Sequence, residues 1–177
     1  MSLFTLIKMD FDRYCTHLEI ENYQSFKKYI YLLIRSTFLV LLLFRLAGSK
    51  VALIRWASLP FYKLGRIFSG IQIPRGTQIG GGLLLPHYGN IVINKRAIVG
   101  ENCTILHNVT LAAKGGGGDD GVPVVGDSVY IGAGAILLGS INVGSDVIIG
   151  ASAVVTKDIP PNHISYGNPA KAFGRLS

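Results

Sequence analysis

The sequence predicts a mainly β protein, a parallel β-helix of six-residue repeats preceded by an N-terminal helical segment. Three observations predict this fold. Aliphatic residues recur every six positions from Ile73 onward, glycine fills 22 of the 177 positions, and the earlier apolar stretches are typical of helices. We therefore divide the chain into a helical segment, residues 1–70, and a β-helix domain, residues 71–177.

The six-residue period runs in three blocks whose thirteen positions are all Val, Ile or Leu: Ile73, Ile79, Leu85; Ile93, Val99, Ile105, Leu111; Val125, Ile131, Leu137, Val143, Ile149 and Val155. Three units make one triangular coil of 18 residues, and its aliphatic side chains stack on those of the coil below. Glycine follows the aliphatic residue at 80, 100, 126, 132, 144 and 150, where we expect corners with a backbone conformation that a Cβ opposes.

Two interruptions break the period, and repeat folds place function at such points. Two extra residues lie within Pro86–Asn90. The spacing from Leu111 to Val125 is fourteen and contains AAKGGGGDDGVP, which predicts a loop that leaves the coil and carries Asp119 and Asp120. A passive flexible insertion is the alternative interpretation of that loop.

The N-terminal segment is apolar but repeatedly interrupted by charge. Tyr23–Phe44 is predicted helical, and the apolar residues between Arg35 and Arg45 are too few to span a membrane unless Arg35 snorkels. We expect no export signal. Val51–Phe68 is apolar and basic, and we expect Pro60 to break any helix there. It is either a helical cap packed on the next domain or a face that contacts the inner leaflet of a membrane.

Charge and cysteine content exclude several classes. The formal net charge is +7, of which residues 1–70 carry +6, but cations and aromatics do not interleave as nucleic-acid binding requires. Cys15 and Cys103 are too few for a disulfide framework and lack metal-ligand spacing, so we expect a reduced, cytoplasmic protein without a metal. Cys103 occupies an inward repeat position and is predicted to lie in the core.

The segments LPHYGNIVI, ILHNVTLAAKGGGG, VGDSVYIGAGAILLG and YGNPAKAF resemble those of hexapeptide-repeat acyltransferases, within them the serine acetyltransferase type. The resemblance covers about residues 70–173. It implies a left-handed parallel β-helix that transfers acetyl from acetyl-CoA. It also implies a homotrimer with active sites between subunits, because the donor groove needs a neighbouring subunit.

His87 is the predicted general base, because acetyl transfer to a hydroxyl requires a group that removes its proton near neutral pH. It lies in the two-residue bulge and matches the catalytic histidine of the family. His107 follows Ile105 as His87 follows Leu85, so the two rings should be neighbours on one corner. His107 is either a second site group or a solvent-facing side chain. The resemblance implies that Gln72 occupies the position of the family's orienting aspartate.

For acetyl-CoA, the resemblance implies binding by small residues at successive corners and by nearby cations. Ala133 and Ala151 are one coil apart, and Ala113 begins the loop. Lys157 and Lys171 are the candidate phosphate ligands, with ordinary surface lysines as the alternative.

The acceptor prediction rests on departures from the serine acetyltransferase pattern. Gln72 and Pro86 replace acidic residues, and Gly121 and Val122 replace an Arg-His pair. INKR, at residues 93–96, resembles colanic-acid and capsule acetyltransferases instead. We therefore expect a sugar hydroxyl of a surface polysaccharide or its precursor as acceptor, with serine as the alternative.

Two further classes of protein are compatible with a β-helix of this kind. One is a carbonic-anhydrase-like metalloenzyme, which needs three histidines on a metal between subunits. His17 and His163 lie outside the middle of the repeats, which argues against it. The second class is a non-catalytic scaffold, in which replacing His87 by alanine would change nothing.

Overall fold

The computed structural model describes residues 1–20, 25–34, 36–115 and 121–174. Its helices are α1 (Leu3–His17), α2 (Ser25–Ile34), α3 (Ser36–Ala47) and α4 (Ala52–Ser69). The predicted Tyr23–Phe44 helix is covered by α2 and α3, while its residues Tyr23, Gln24 and Arg35 lie outside the described residues. In the part of the chain that is described, no helix has the length and apolar character needed to cross a bilayer.

The strands are short and follow the six-residue period: β1 (Ile71–Gln72), β2 (Gln78–Ile79), β3 (Ile91–Ile93), β4 (Ile98–Val99), β5 (Thr104–Ile105), β6 (Thr110–Ala112), β7 (Val124–Val125), β8 (Tyr130–Ile131), β9 (Ile136–Leu138), β10 (Asn142–Val143), β11 (Ile148–Ile149), β12 (Val154–Val155), β13 (His163–Gly167) and β14 (Ala170–Gly174). They form three sheets, ordered β1-β3-β6-β9-β12, β2-β4-β7-β10 and β5-β8-β11-β13-β14. The pairs are parallel except the terminal β13-β14 hairpin. The fold class is confirmed as a left-handed parallel β-helix with N-terminal helices.

The register shows how the coils absorb both interruptions. Val124 pairs with Asn142, an offset of 18 residues. The bulge before β3 raises the offset to 20, as between Ile71 and Ile91, and the loop after β6 raises it to 26. All thirteen aliphatic repeat residues are buried, none more than 7% exposed, and so is Cys103. The insertions therefore leave the stacked core unbroken. The loop residues 116–120, with Asp119 and Asp120, lie outside the described residues.

The repeat glycines are required for a different reason from the one predicted. Gly80 and Gly132 do not have positive φ. A Cβ at Gly80 would lie 2.6 Å from the carbonyl carbon of Gly100 in the next coil, so close stacking of the backbone excludes a side chain. The left-handed corner positions are occupied instead by residues such as Asn102 and Asn108, with φ of 56° and 59°.

The expectation that Pro60 breaks the second apolar stretch is wrong, because α4 continues through it. The helix is held by tertiary contacts beyond the proline. The ring of Tyr62 packs against Phe44 at 6.2 Å, and its hydroxyl donates a hydrogen bond to the carbonyl of Ile73. These contacts help to hold the helix against the roughly 3 kcal/mol that an interior proline costs. α4 ends at Ser69, capped by Gly70 in the left-handed conformation.

Candidate active site

His87 lies in the turn that contains the first interruption of the repeat. Leu85, two residues earlier, is fully buried, whereas the His87 side chain is exposed. Gly89 in the same turn donates its backbone N–H to the carbonyl of Ser69 at 3.3 Å. The turn is thus fixed at both ends while its imidazole remains accessible to a substrate.

The rings of His87 and His107 are neighbours. Their centroids are 5.8 Å apart and their planes are inclined at 78°, in agreement with the adjacency that the repeat spacing predicts. The Nδ1 atom of His107 is buried, and none of the described residues gives it a hydrogen-bond partner. Within the described ranges no group of three or more His, Cys, Asp or Glu side chains could hold a metal ion. The structure thus places two imidazoles side by side at the turn that interrupts the repeat.

The same corner continues from the histidines to the two predicted alanines. Gly134 donates its N–H to the carbonyl of His107 at 2.9 Å, so Ala133 lies one coil above His107. Ser152 donates to the carbonyl of Ala133 at 2.8 Å, which places Ala151 one coil higher. The column was not recognised from sequence, although adding the eight-residue insertion to the 18-residue coil gives the step from 107 to 133.

The N-terminal helices are fixed to the backbone just before His87. Arg45 Nε on α3 donates to Asp10 Oδ2 on α1 at 2.8 Å, and Arg45 Nη1 donates to the carbonyl of Ile79 at 2.7 Å. Asp10 Oδ1 accepts the backbone N–H of Leu83 at 3.0 Å. These groups are buried, so their hydrogen bonds act in a low dielectric. These hydrogen bonds therefore fix α1 and α3 to the first coil near His87.

α1 forms one wall of a pocket of about 400 Å³ beside the predicted base. Arg13, Thr16 and His17 face His87 and Tyr130 across it. Sequence reasoning missed the three α1 residues. Their helix has no motif, and only the folded structure shows that it lies over the first interruption.

Gln72 is not brought into this pocket. It lies on β1 and lines a separate pocket of about 480 Å³ with Asn90 and with Lys63 and Arg66 of α4. Within this one chain the structure therefore brings His87 and His107 together but places Gln72 elsewhere. Its predicted orienting role stays a prediction.

The two predicted phosphate ligands share one pocket. Lys157 follows β12, Lys171 lies on β14, and both line a cavity of about 280 Å³ with Pro169 and Asp158. Ala113 follows β6 at the start of the loop and is half-buried. The binding roles of these residues are predictions, to which the structure adds the proximity of the two lysines.

Comparison with known proteins identifies the class. The model of the bacterial transferase hexapeptide family (six repeats) matches residues 123–157. Serine acetyltransferase 3, mitochondrial, of Arabidopsis thaliana is 50% identical over 99 residues, 56% of this chain and 25% of that protein. The chain spans less than two thirds of the curated relatives of this kind, from 25% to 65% of their length. The fold and the repeats therefore define a hexapeptide-repeat transferase.

Solved structures identify the family more narrowly. Soybean serine acetyltransferase complexed with serine is similar at a TM-score of 0.80 and 32% identity, over 97% of this chain and 70% of that one. The serine acetyltransferase of Brucella abortus strain S19, in complex with coenzyme A, gives 0.79 and 28%, over 98% and 68%. The chain belongs to the hexapeptide-repeat acetyltransferases of the serine acetyltransferase type.

The prediction of a sugar acceptor is wrong, since the relatives and solved structures are serine acetyltransferases rather than polysaccharide O-acetyltransferases. The structure explains two of the features that suggested a sugar. INKR forms a turn in which Asn94 Oδ1 accepts the N–H of Arg96 at 2.9 Å, so turn formation accounts for its asparagine. Gly121 lies so close to Ser140 that a Cβ would collide with that side chain. Local geometry therefore accounts for Asn94 and Gly121.

Proposed function

We propose that the protein transfers acetyl from acetyl-CoA to the hydroxyl of L-serine, with His87 as general base. The observation that carries the proposal is the corner column in which His87 and His107 continue into Ala133 and Ala151. It supports one groove in which an acceptor beside the imidazoles meets a donor that extends along the coil axis.

The chemistry requires one proton transfer and one acyl transfer. His87 takes the proton of the serine hydroxyl as its oxygen attacks the thioester carbonyl. The carbon–sulfur bond breaks, and coenzyme A leaves as the thiol after the proton is returned. The products are O-acetylserine and coenzyme A. The exposed position of His87 favours direct access to the hydroxyl.

The donor site follows the column away from the imidazoles. Three coil steps separate His87 from Ala151, roughly 14 Å at the spacing of β-strands. Small side chains along that path leave room for the pantetheine arm. Lys157 and Lys171 share one pocket at the C-terminal end of the β-helix, and they are the cations for the phosphates of coenzyme A. Ala113 contributes to the groove on the loop side.

We also propose a homotrimer with its active sites between subunits. Ile98 and Val124 are paired neighbours that point outward from β4 and β7, and they are 38% and 37% exposed in the single chain. Burying this aliphatic strip against a second prism stabilises an assembly. Light scattering should give three times the chain mass, and Ile98→Lys should lower it; a wild-type monomer at all concentrations contradicts the trimer.

For residues 1–70 we propose contact with an anionic membrane surface through α4. Trp56, Phe61 and Phe68 of this helix are 66%, 63% and 85% exposed, and Arg55 and Lys63 accompany them. No acidic residue lies within 51–70, so the face complements anionic lipid and repels a second copy of itself. Wild type should sediment with anionic vesicles and Trp56→Ser should do so less. Equal binding to neutral vesicles, or none, contradicts the contact.

The acetyl transfer is tested by thiol release from acetyl-CoA in the presence of L-serine. His87→Ala should lower kcat by about 10² while coenzyme A binding, measured by calorimetry, is retained. His163→Ala is the matched control, because that imidazole lies on β13 and bonds the carbonyl of Pro161. Serine-dependent release that survives in His87→Ala contradicts the base assignment. No release with serine in the wild type contradicts the acceptor.

A further inference from the structure

Arg13 has an arrangement that the catalytic proposal does not use. It lies on α1 and lines the same 400 Å³ pocket as His87. Its Nε is buried, and no hydrogen-bond partner for it is found among the described residues. A buried guanidinium donor without an acceptor is costly, because its lost hydration is not replaced. An anion that enters the pocket would supply the missing hydrogen-bond acceptor.

The buried carboxylate one turn before Arg13 on α1 does not neutralise it. Asp10 lies one turn before it, but Asp10 Oδ2 accepts from Arg45 Nε at 2.8 Å, and Asp10 Oδ1 accepts from Arg45 Nη2 at 3.1 Å and from the N–H of Leu83 at 3.0 Å. Both oxygens of Asp10 are therefore engaged by other donors. The salt bridge of Asp10 joins it to Arg45.

The pocket lining carries the permanent positive charge of Arg13 and no carboxylate. Its lining contains Arg13 and two imidazoles, those of His17 and His87, and no aspartate or glutamate. Thr16 and Tyr130 add hydroxyl groups to the same lining. A planar guanidinium binds a carboxylate through two parallel hydrogen bonds, which fixes the orientation of the anion as well as its position.

We propose that Arg13 binds the carboxylate of the acceptor and thereby orients its hydroxyl toward His87. The inference rests on the proposed function, in which the acceptor is a hydroxy amino acid. It assigns the recognition of the carboxylate to α1, outside the repeats. The specificity for an anionic acceptor then depends on the N-terminal helices as much as on the coil.

The test compares L-serine with L-serinamide, which has the same hydroxyl but no carboxylate. Arg13→Gln should raise the KM for serine by about tenfold to a hundredfold and leave kcat/KM for serinamide unchanged. Arg13→Lys keeps the charge but loses the planar fork, so its KM should be intermediate. Arg75→Gln, on an exposed turn, is the matched control. The KM for acetyl-CoA and the melting temperature show whether the variants remain folded.

The outcomes separate this inference from the proposal on which it rests. If wild type acetylates serine and Arg13→Gln leaves its KM unchanged, or changes serine and serinamide by the same factor, Arg13 does not bind the carboxylate. If wild type does not acetylate serine, both the proposed function and this inference are overturned. A selective loss for serine supports both.

Discussion

The hydroxyl of Tyr14 donates to the carbonyl of Leu85 at 3.1 Å, and the N–H of Leu85 donates back to the same hydroxyl at 3.2 Å. A buried side chain of α1 thus satisfies both backbone groups of the residue two positions before His87. Burial raises the pKa of Tyr14 well above its usual value, which keeps the hydroxyl neutral and able to donate. The bond pair couples the position of α1 to that of the turn that carries His87.

Tyr14→Phe keeps the ring and removes both hydrogen bonds. We expect the free energy of unfolding to fall by about 1–3 kcal/mol, because two buried backbone groups lose their partner. As Tyr14 positions the turn, kcat should fall while the KM for acetyl-CoA is unchanged. Tyr166→Phe, with an exposed ring, serves as control. An unchanged kcat in a destabilised protein would mean that the hydroxyl is structural only.

The role of His107 is tested by two substitutions. His107→Ala removes the ring beside His87, and His107→Phe keeps an aromatic ring without its nitrogens. If the nitrogens act on the acceptor or on the oxyanion, both variants should lower kcat roughly tenfold with KM for acetyl-CoA retained. Full activity in His107→Phe would show that the ring contributes packing rather than polar chemistry.

Lys171→Gln should raise the KM for acetyl-CoA roughly tenfold, the effect of losing one charge-assisted hydrogen bond of about 1.4 kcal/mol. The KM for serine should not change. The difference in the KM for acetyl-CoA between Lys171→Gln and wild type should shrink as salt is added, because exposed cations are screened. Lys95→Gln, on a turn far along the chain, is the matched control. An equal effect in both variants would point to general electrostatic attraction.

The buried thiol of Cys103 should make the protein less stable as the pH rises in the alkaline range. Burial raises the pKa of its thiol from 9.0 to about 11. Between those values an unfolded chain loses the thiol proton and the folded chain keeps it, so the unfolded state binds fewer protons and stability falls as pH rises. Denaturant titrations from about pH 9 to about pH 10 should show a shallower fall for Cys103→Ser. If stability falls equally steeply with pH in both proteins, groups other than Cys103 cause the loss of stability.

The repeats were predictable because each inward position imposes the same demand. An aliphatic side chain must fill the coil at every sixth residue, so Ile73 to Val155 could be identified from sequence alone. The adjacency of His87 and His107 followed from the same count. A count along the chain carries no information about which helix covers a turn, and the α1 wall with Arg13 was therefore not predicted.

The errors also have physical causes. Pro60 is tolerated because contacts between α4 and its neighbours outweigh the low helix propensity of proline. Helix signals in the sequence carry no information about such contacts. The glycines after the aliphatic residues are explained by distances between coils and not by their own φ. The sugar acceptor was inferred from departures such as Gly121 and from the INKR segment. In the structure Gly121 packs against Ser140 and Asn94 forms the turn.

Two kinds of contact differ in the number of residues that lie between the partners. One kind attaches α1 to the first coil, and the other pairs neighbouring coils. Neighbouring coils pair residues 16 to 26 positions apart, whereas α1 meets Leu83 and Leu85 across 73 and 71 positions. Loop closure costs more entropy over the longer separation, and contacts of low sequence separation form faster. The β-helix should therefore assemble first, and α1 should dock late and open first. The pocket between Arg13 and His87 should then be completed only when α1 docks.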